Sequence, residues 1–301
     1  MVDSLAVKKS ELTAKNRAFK IHEDTIPVDD YRQIAQQFDW KTFTESAYHR
    51  SFQRTGTPIL KVLDLACGTG RWLQTFLQYV SPQLTTSLPL NIRYDLLDCC
   101  ESALIQATQK VRYPFKLGTQ HLAPVQQAAL EPDTYDCIWS MHGFYAMPKT
   151  DLGSILAKIN HSLHQDGRCL IAQASHRAFY INFYDRYRAA FGQDQGTGFT
   201  AAEDIIAALK TLGIEPQVQV ISYDECIPLH NMAAVEHYIL NEATINSFNR
   251  DDTVEVEDSV GQIGLQELWQ NPAMNAYLNS LVWDSTFHFP EEVWLISFGK
   301  V

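Results

Sequence analysis

The 301-residue sequence contains no long hydrophobic run and has few basic residues. No stretch approaches the roughly 18 apolar residues that a membrane-spanning helix needs, and the lysine-containing residues 1–27 lack the apolar segment of a secretory signal. Lysine and arginine number 24 against 35 acidic residues, which gives a net charge of −11. Because duplex-DNA binding needs a basic surface, we expect neither a nucleic-acid nor a membrane partner.

The sequence also lacks the CxxC motif, in which two cysteines are separated by two residues. It contains six cysteines, and disulfide frameworks are typical of small secreted chains. We therefore expect reduced thiols that pack as small hydrophobic side chains, and a cytoplasmic location. His161 and His164 could share one helix face, but zinc normally needs a third protein ligand, so no metal site is predicted.

The distribution of polar and apolar residues suggests three parts. Residues 1–27 are polar and unpatterned, which predicts a flexible N-terminal arm. Residues 28–58 have apolar side chains near helical spacing after Asp29 and Asp30, which predicts N-terminal cap helices. Residues 59–301 form the main domain, interrupted by a mostly helical insertion at 229–284 that contains an acidic loop.

From residue 59 onward, short apolar runs alternate with helical patterns. This alternation predicts an α/β, Rossmann-like, mostly parallel sheet with helices on both faces. The predicted strands are 59–65, 92–97, a weak 115–117, 135–141, 168–174, 218–223 and 293–298. The predicted helices are 71–77, 101–110, 151–163 and 201–212.

A glycine-containing turn follows the first strand, in the segment Asp64-Leu65-Ala66-Cys67-Gly68-Thr69-Gly70. Glycines let the backbone approach a ligand where the chain leaves the sheet, and ligands of open α/β sheets bind at this end of the strands. The third glycine of a dinucleotide fingerprint is replaced by Leu73, and no phosphate-loop lysine follows the turn. The pattern therefore favours a ligand without a pyrophosphate, although a nicotinamide-dependent enzyme remains an alternative.

Asp98 ends the next predicted strand, in Leu96-Leu97-Asp98-Cys99-Cys100. A carboxylate at this position can accept two hydrogen bonds from a ribose diol. The alternative is that Asp98 serves only as the N-cap of the following helix.

These motifs, together with YDCIWS and DGRCLIA further along, resemble the class I S-adenosylmethionine-dependent methyltransferases over residues 59–223. The resemblance implies a seven-stranded sheet with an antiparallel last strand, and S-adenosylmethionine as cofactor. It places Gly68 and Gly70 beside the methionine moiety and Asp98 on the ribose. Thr119 and Gln120 stand where the family often has an acidic residue near adenine. The full expected cofactor set is Asp64, Ala66, Gly68, Thr69, Gly70, Asp98, Cys99, Thr119, Gln120 and Ser140.

The stretch from Met141 to Gly192 and the C-terminal half resemble the histamine N-methyltransferase-like group. That likeness implies that N-terminal and C-terminal helices cap the site and that a small amine is enclosed there. The matching positions are His142, Tyr31 and Asp284, and Glu45 is the nearest candidate for an N-terminal acidic contact. The aromatic residues Tyr31, Phe38, Trp40, Phe144 and Tyr145 could form a wall for a cationic acceptor.

The predicted function is methyl transfer to a small molecule, with an amine or imidazole nitrogen favoured. Positioning of acceptor and methyl group supplies most of the catalysis in such an in-line displacement. His142 is the candidate base because imidazole titrates near neutral pH, and Tyr31 and Tyr145 complete the expected catalytic set. An O-methyltransferase and a non-catalytic methyltransferase-like binding protein are the alternatives, and the sequence does not define the oligomeric state.

Overall fold

The computed structural model of the chain describes residues 28–56, 59–85, 91–145, 147–191, 198–245 and 265–300. The predicted arm at 1–27 and the acidic loop of the insertion lie outside these ranges. Within them, no helix has both the length and the apolar character needed to cross a bilayer.

The apolar runs of the sequence form the middle of a sheet. β1 (Leu60–Leu65) and β4 (Tyr135–Met141) are almost entirely buried, as expected for parallel strands that are covered on both faces. β1 pairs in parallel with both β2 and β4. The other strands are β2 (Ile92–Asp98), β3 (Phe115–Leu122), β5 (Leu163–Ala174), β6 (Gln217–Pro228), β7 (Val282–Trp283) and β8 (Thr286–Gly299).

The strand order is β3-β2-β1-β4-β5-β8-β6, and β7 pairs with β8 outside this path. The strands from β1 to β5 are parallel, and the C-terminal strands are antiparallel. The predicted mostly parallel sheet with seven strands along its path is therefore confirmed, with the two-residue β7 as an addition.

Two helices precede the sheet, α1 (Val28–Gln37) and α2 (Trp40–Thr55). Asp39 caps α2 by accepting a hydrogen bond from the Thr42 amide, which satisfies one of the free donors at a helix start. The later helices are α3 (Arg71–Tyr79), α4 (Ser81–Thr85), α5 (Glu101–Lys110), α6 (Leu152–Ser162), α7 (Phe179–Phe191), α8 (Ala202–Thr211), α9 (Met232–Ile245), α10 (Leu265–Gln270) and α11 (Pro272–Ser280); short 3₁₀ turns cover Lys149–Asp151 and Leu229–Asn231.

The chain divides into two compact units. The larger one comprises Pro27–Gln173, Thr200–Ile221 and Val293–Val301, and its core joins the sheet to α6 and α8 through side chains such as Ile138, Ile155 and Ile205. The smaller unit includes Ala174–Phe199 and Ser222–Glu292. Its separate core is rich in aromatic residues, among them Phe179, Phe183, Tyr187, Phe287 and Phe289.

The structure differs from the sequence prediction in the extent of β3 and in the helix α7. β3 continues to Leu122 instead of ending at Leu117, because this edge strand is polar and its apolar pattern therefore fades early. Helix α7 was not predicted, since aromatic residues favour strands when judged by propensity. Its buried Phe179, Phe183 and Tyr187 nevertheless follow one another at four-residue spacing, which places them on one helix face.

Candidate active site at the ends of β1, β2 and β4

The turn after β1 bends sharply before α3 begins at Arg71. Ala66 has φ 56°, Gly68 φ 54° and Gly70 φ 77°, a left-handed conformation that costs little for glycine and is uncommon for other residues. A Cβ on Gly70 would lie 2.9 Å from the Ala107 Cα on α5. Gly70 is therefore required both by its backbone conformation and by the close approach of α5.

Asp98 connects the end of β2 to this turn. Its Oδ2 accepts the amide hydrogen of Gly68 at 2.9 Å, and its Oδ1 accepts that of Cys100 at 2.8 Å. Burial raises the pKa of this 2% exposed carboxyl, and the amides of Cys100 and Gly68 act against that rise. Each carboxylate oxygen keeps a further lone pair, so the geometry leaves capacity for the hydroxyl hydrogen bonds expected of a ribose.

Polar atoms without partners lie at the end of β4. Ser140 Oγ and His142 Nε2 are buried and have no hydrogen-bond partner among the described residues. A Cβ on Gly143 would lie 2.3 Å from Ser140 Oγ and 2.8 Å from the Ala66 Cβ, so this segment touches the turn after β1. Because buried polar atoms are normally satisfied by protein, water or ligand, the residues present fit a polar ligand such as S-adenosylmethionine.

A buried hydrogen-bond network lies under the turn. The Tyr94 hydroxyl donates to Asp64 Oδ2 at 2.5 Å and accepts from Trp139 Nε1 at 3.3 Å. Burial, and then the Asp64 carboxylate, raise the pKa of Tyr94 well above its ordinary value. The Tyr94 hydroxyl of β2 therefore links Asp64 of β1 to Trp139 of β4.

The predicted adenine-side residues lie inside β3. Thr119 donates its amide hydrogen to Asp95 Oδ1 at 2.8 Å, and Gln120 accepts a hydrogen bond from Thr108. The predicted strand 115–117 would end before them, but β3 continues to Leu122, the residue paired with Asp98. Their contact with adenine remains a prediction, as do the contacts expected of half-buried Thr69 and exposed Cys99.

His142 follows β4 in a left-handed conformation, with φ 56°, and its amide donates to the Ala172 carbonyl at 2.8 Å. The ring is 4% exposed, its Nε2 lies 3.7 Å from Asp30 Oδ2, and the Tyr31 ring meets it edge-on at 5.8 Å. Burial lowers the pKa of His142 to about 4. The imidazole is consequently neutral near pH 7.

Asp30 is the site residue that the sequence analysis missed as a partner of His142. An aspartate in the first turn of a helix normally serves as a cap. That interpretation did not predict that the Asp30 carboxylate is buried and faces His142. The residue predicted for an acidic contact, Glu45, lies half-buried on α2. The available indication was that Asp30 directly precedes Tyr31 at the start of an amphipathic helix.

The remaining predicted acceptor residues lie in different elements of the chain. Phe38 packs on Trp40, with ring centroids 4.8 Å apart, and the Tyr145 carbonyl accepts the Thr200 amide at 3.1 Å. Asp284 lies in the smaller unit, in the exposed turn between β7 and β8. Phe144 belongs to the main core, and an aromatic wall formed by the other residues remains a prediction.

In the part of the chain that the structure describes, no group of three or more histidine, cysteine or acidic side chains is placed to hold a metal ion. All six cysteines are free thiols, four of them buried and Cys99 and Cys226 exposed.

Comparison with known proteins agrees with this geometry. Residues 62–167 match the model of a methyltransferase domain. With the observed sheet, the match shows the class I methyltransferase fold and an enzyme that uses S-adenosylmethionine. No curated protein sequence matches the chain significantly.

Among solved structures, the YcgJ protein of Bacillus subtilis is 14% identical and has a TM-score of 0.48, covering 85% of this chain and 99% of its own. The cyclopropane synthase MmaA2 of Mycobacterium tuberculosis is 11% identical, with a TM-score of 0.47 and coverage of 94% and 98%. Geranyl diphosphate methyltransferase in complex with S-adenosylmethionine is 12% identical, with a TM-score of 0.41 and coverage of 86% and 85%. Likenesses this remote identify no substrate, and the narrower resemblance to histamine N-methyltransferase is not supported.

Proposed function

We propose that the enzyme methylates a nitrogen of a small molecule, an amine or an imidazole. The observation that carries this proposal is His142, a neutral imidazole that is 4% exposed beside the turn after β1. A nitrogen acceptor must lose a proton in order to attack or to complete the reaction, and a neutral imidazole can accept it. A base buried this deeply suits an acceptor small enough to enter a closed pocket.

The remaining residues have binding roles in this proposal. When bound, S-adenosylmethionine would supply a methyl group on a sulfonium. A lone pair of the acceptor would attack the methyl carbon in line, with the sulfur as the leaving group. Asp98 accepts hydrogen bonds from the ribose hydroxyls, and the backbone of residues 66–70 lies along the methionine end. Ser140 Oγ, buried without a partner among the described residues, hydrogen-bonds to a polar group of either ligand.

The N-terminal helices cover this site in the proposal, and α1 contributes Asp30 and Tyr31 to it. The free thiols support a reducing location such as the cytoplasm.

The proposal can be tested with cofactor labelled at the methyl carbon. The protein is incubated separately with small amines and imidazoles, with small hydroxyl compounds, and with a mixture of peptides and RNA. We expect mass spectrometry to find the label on a nitrogen of the first group. Label found only on oxygen, or only on a macromolecule, would contradict the proposal.

A second measurement tests the residue that carries the proposal. His142→Gln should lower turnover about 100-fold, within the usual contribution of a general base, while the affinity for S-adenosylhomocysteine stays near that of the wild type. The matched control is His49→Gln on α2, since His49 is exposed and its replacement should change neither quantity. Equal turnover of the two variants would remove His142 from the reaction.

A further inference from the structure

The buried carboxylate of Asp30 requires an explanation of its own. It is 3% exposed, and an isolated carboxylate at such depth is costly unless it is paired and hydrogen-bonded. Its Oδ2 lies 3.7 Å from His142 Nε2, slightly beyond the 2.7–3.2 Å usual for an N–H···O hydrogen bond. The two atoms must therefore approach by at least about 0.5 Å for that bond to form.

We propose that Asp30 is a positioning residue for His142: its carboxylate accepts the Nε2 hydrogen of the imidazole, which leaves Nδ1 as the nitrogen that takes the acceptor's proton. This inference rests on the function proposed above. A carboxylate that holds one imidazole nitrogen so that the other can act as a base is a recurrent arrangement in enzymes.

The surroundings of His142 support this assignment. The titratable groups shown to face the ring, Asp30 and Tyr31, both come from α1, and the Tyr31 ring contacts the imidazole edge-on. A further charge on this side is Arg71 of α3, whose guanidinium carbon lies 5.9 Å from the centre of the Tyr31 ring. The carboxylate next to Nε2 is therefore the charge best placed to stabilise an imidazolium.

Burial and the Asp30 carboxylate act in opposite directions on the basicity of the His142 imidazole. Burial alone makes His142 a weak base, because it lowers the pKa of the imidazole. An ionised carboxylate within 4 Å favours the charged imidazolium and opposes that effect. Asp30 would thus return part of the basicity that burial removes once its Oδ2 comes within hydrogen-bond range of Nε2.

The chemical step balances without another reactant. A protonated amine gives one proton to His142 Nδ1, and the imidazolium then carries hydrogen on both nitrogens, with Nε2–H directed at Asp30. The freed lone pair of the amine forms the new N–C bond to the methyl carbon. The S–C bond breaks with its electron pair remaining on sulfur, and a methylated ammonium and a neutral thioether result.

The inference is testable without knowing the acceptor. In protein with ¹⁵N-labelled histidine, we expect the nitrogen spectrum of the wild type at pH 7 to show the His142 tautomer with hydrogen on Nε2. In Asp30→Asn the tautomers should mix, and protonation of the ring should need a pH lower by about one unit or more. Asp30→Glu, which keeps the charge, should restore much of the wild-type behaviour, and Glu131→Gln, which removes an exposed carboxylate, should change nothing.

Hydrogen on Nδ1 in the wild type, or identical spectra for wild type and Asp30→Asn, would overturn the inference. If Asp30→Asn fails to fold, the wild type and Asp30→Glu still test the inference. In both proteins the His142 tautomer and the pH at which the ring is protonated can be measured. The pH profile of methylation gives the second readout, because the acidic limb in Asp30→Asn should shift in the same direction as the ring titration. Absence of any small nitrogen acceptor would defeat the proposed function while leaving the spectral test of Asp30 intact.

Discussion

The side chain of Asp98 holds the backbone of Gly68, with 2.9 Å between Asp98 Oδ2 and the Gly68 nitrogen. The same carboxylate holds the Cys100 amide through its other oxygen. One residue thus fixes the turn after β1 to the end of β2 and, in the proposed site, faces the ribose. Structural and binding effects of its replacement must therefore be measured separately.

Asp98→Ala should lower both stability and cofactor affinity. Two backbone amides lose a charged acceptor, and hydrogen bonds to charged groups contribute about 1.5–3 kcal/mol each, so we expect the free energy of unfolding in urea to fall by about 3–6 kcal/mol. Affinity for S-adenosylhomocysteine, measured by calorimetry, should fall at least tenfold. Asp98→Asn keeps one acceptor oxygen, and unchanged affinity in that folded variant would limit Asp98 to a structural role.

The parts of the fold that sequence predicted best are those governed by local pattern. β1 and β4 are continuous apolar runs because both of their faces are covered, and the glycines mark the turn directly. The end of β3 could not be predicted well, since the polar residues of an edge strand lack a buried face. Helix α7 depends on a core completed by distant residues such as Val235 and Leu278.

The same distinction between local pattern and long-range packing applies to the residues of the candidate site. Asp98 was identifiable because the strand end and its acidic residue are adjacent in sequence. The pairing of Asp30 with His142 joins residues 112 positions apart and depends on how α1 packs, which no local pattern encodes. Sequence could place Asp30 at a helix start, but only the three-dimensional arrangement shows its partner.

The stability of the protein should depend on His142 as pH falls. Its folded-state pKa of about 4 lies below the ordinary 6.5, so between these values the unfolded chain binds more protons and acid favours unfolding. We expect this group to lower the unfolding free energy by about 3 kcal/mol between pH 6.5 and 4. His142→Gln should lack that component in urea titrations at pH 7 and 4.5. Parallel losses in both proteins would show that His142 is not the cause.

Gly143→Ala should disturb the junction between the ends of β1 and β4. The added Cβ would lie 2.3 Å from Ser140 Oγ and 2.8 Å from the Ala66 Cβ, and overpacking of this kind costs about 1–3 kcal/mol. We expect a lower melting temperature and weaker binding of S-adenosylhomocysteine. Gly153→Ala on α6 is the control, because no atom lies within 4 Å of its added Cβ. That variant should be neutral or more stable, and equal losses in the two would refute the steric argument.

Tyr94→Phe should destabilise the network beneath the turn without changing its shape. The phenyl ring keeps the packing, but Asp64 loses the hydroxyl that donates to it at 2.5 Å, and Trp139 loses an acceptor. Loss of a hydrogen bond to a buried charged group costs about 1.5–3 kcal/mol, measurable as a lower urea midpoint with an unchanged slope. Tyr113→Phe removes a hydroxyl from an exposed tyrosine and should leave the midpoint where it is. If the two variants unfold alike, the Asp64–Tyr94 hydrogen bond contributes nothing to holding β1 against β2, and the turn must draw its rigidity from Asp98.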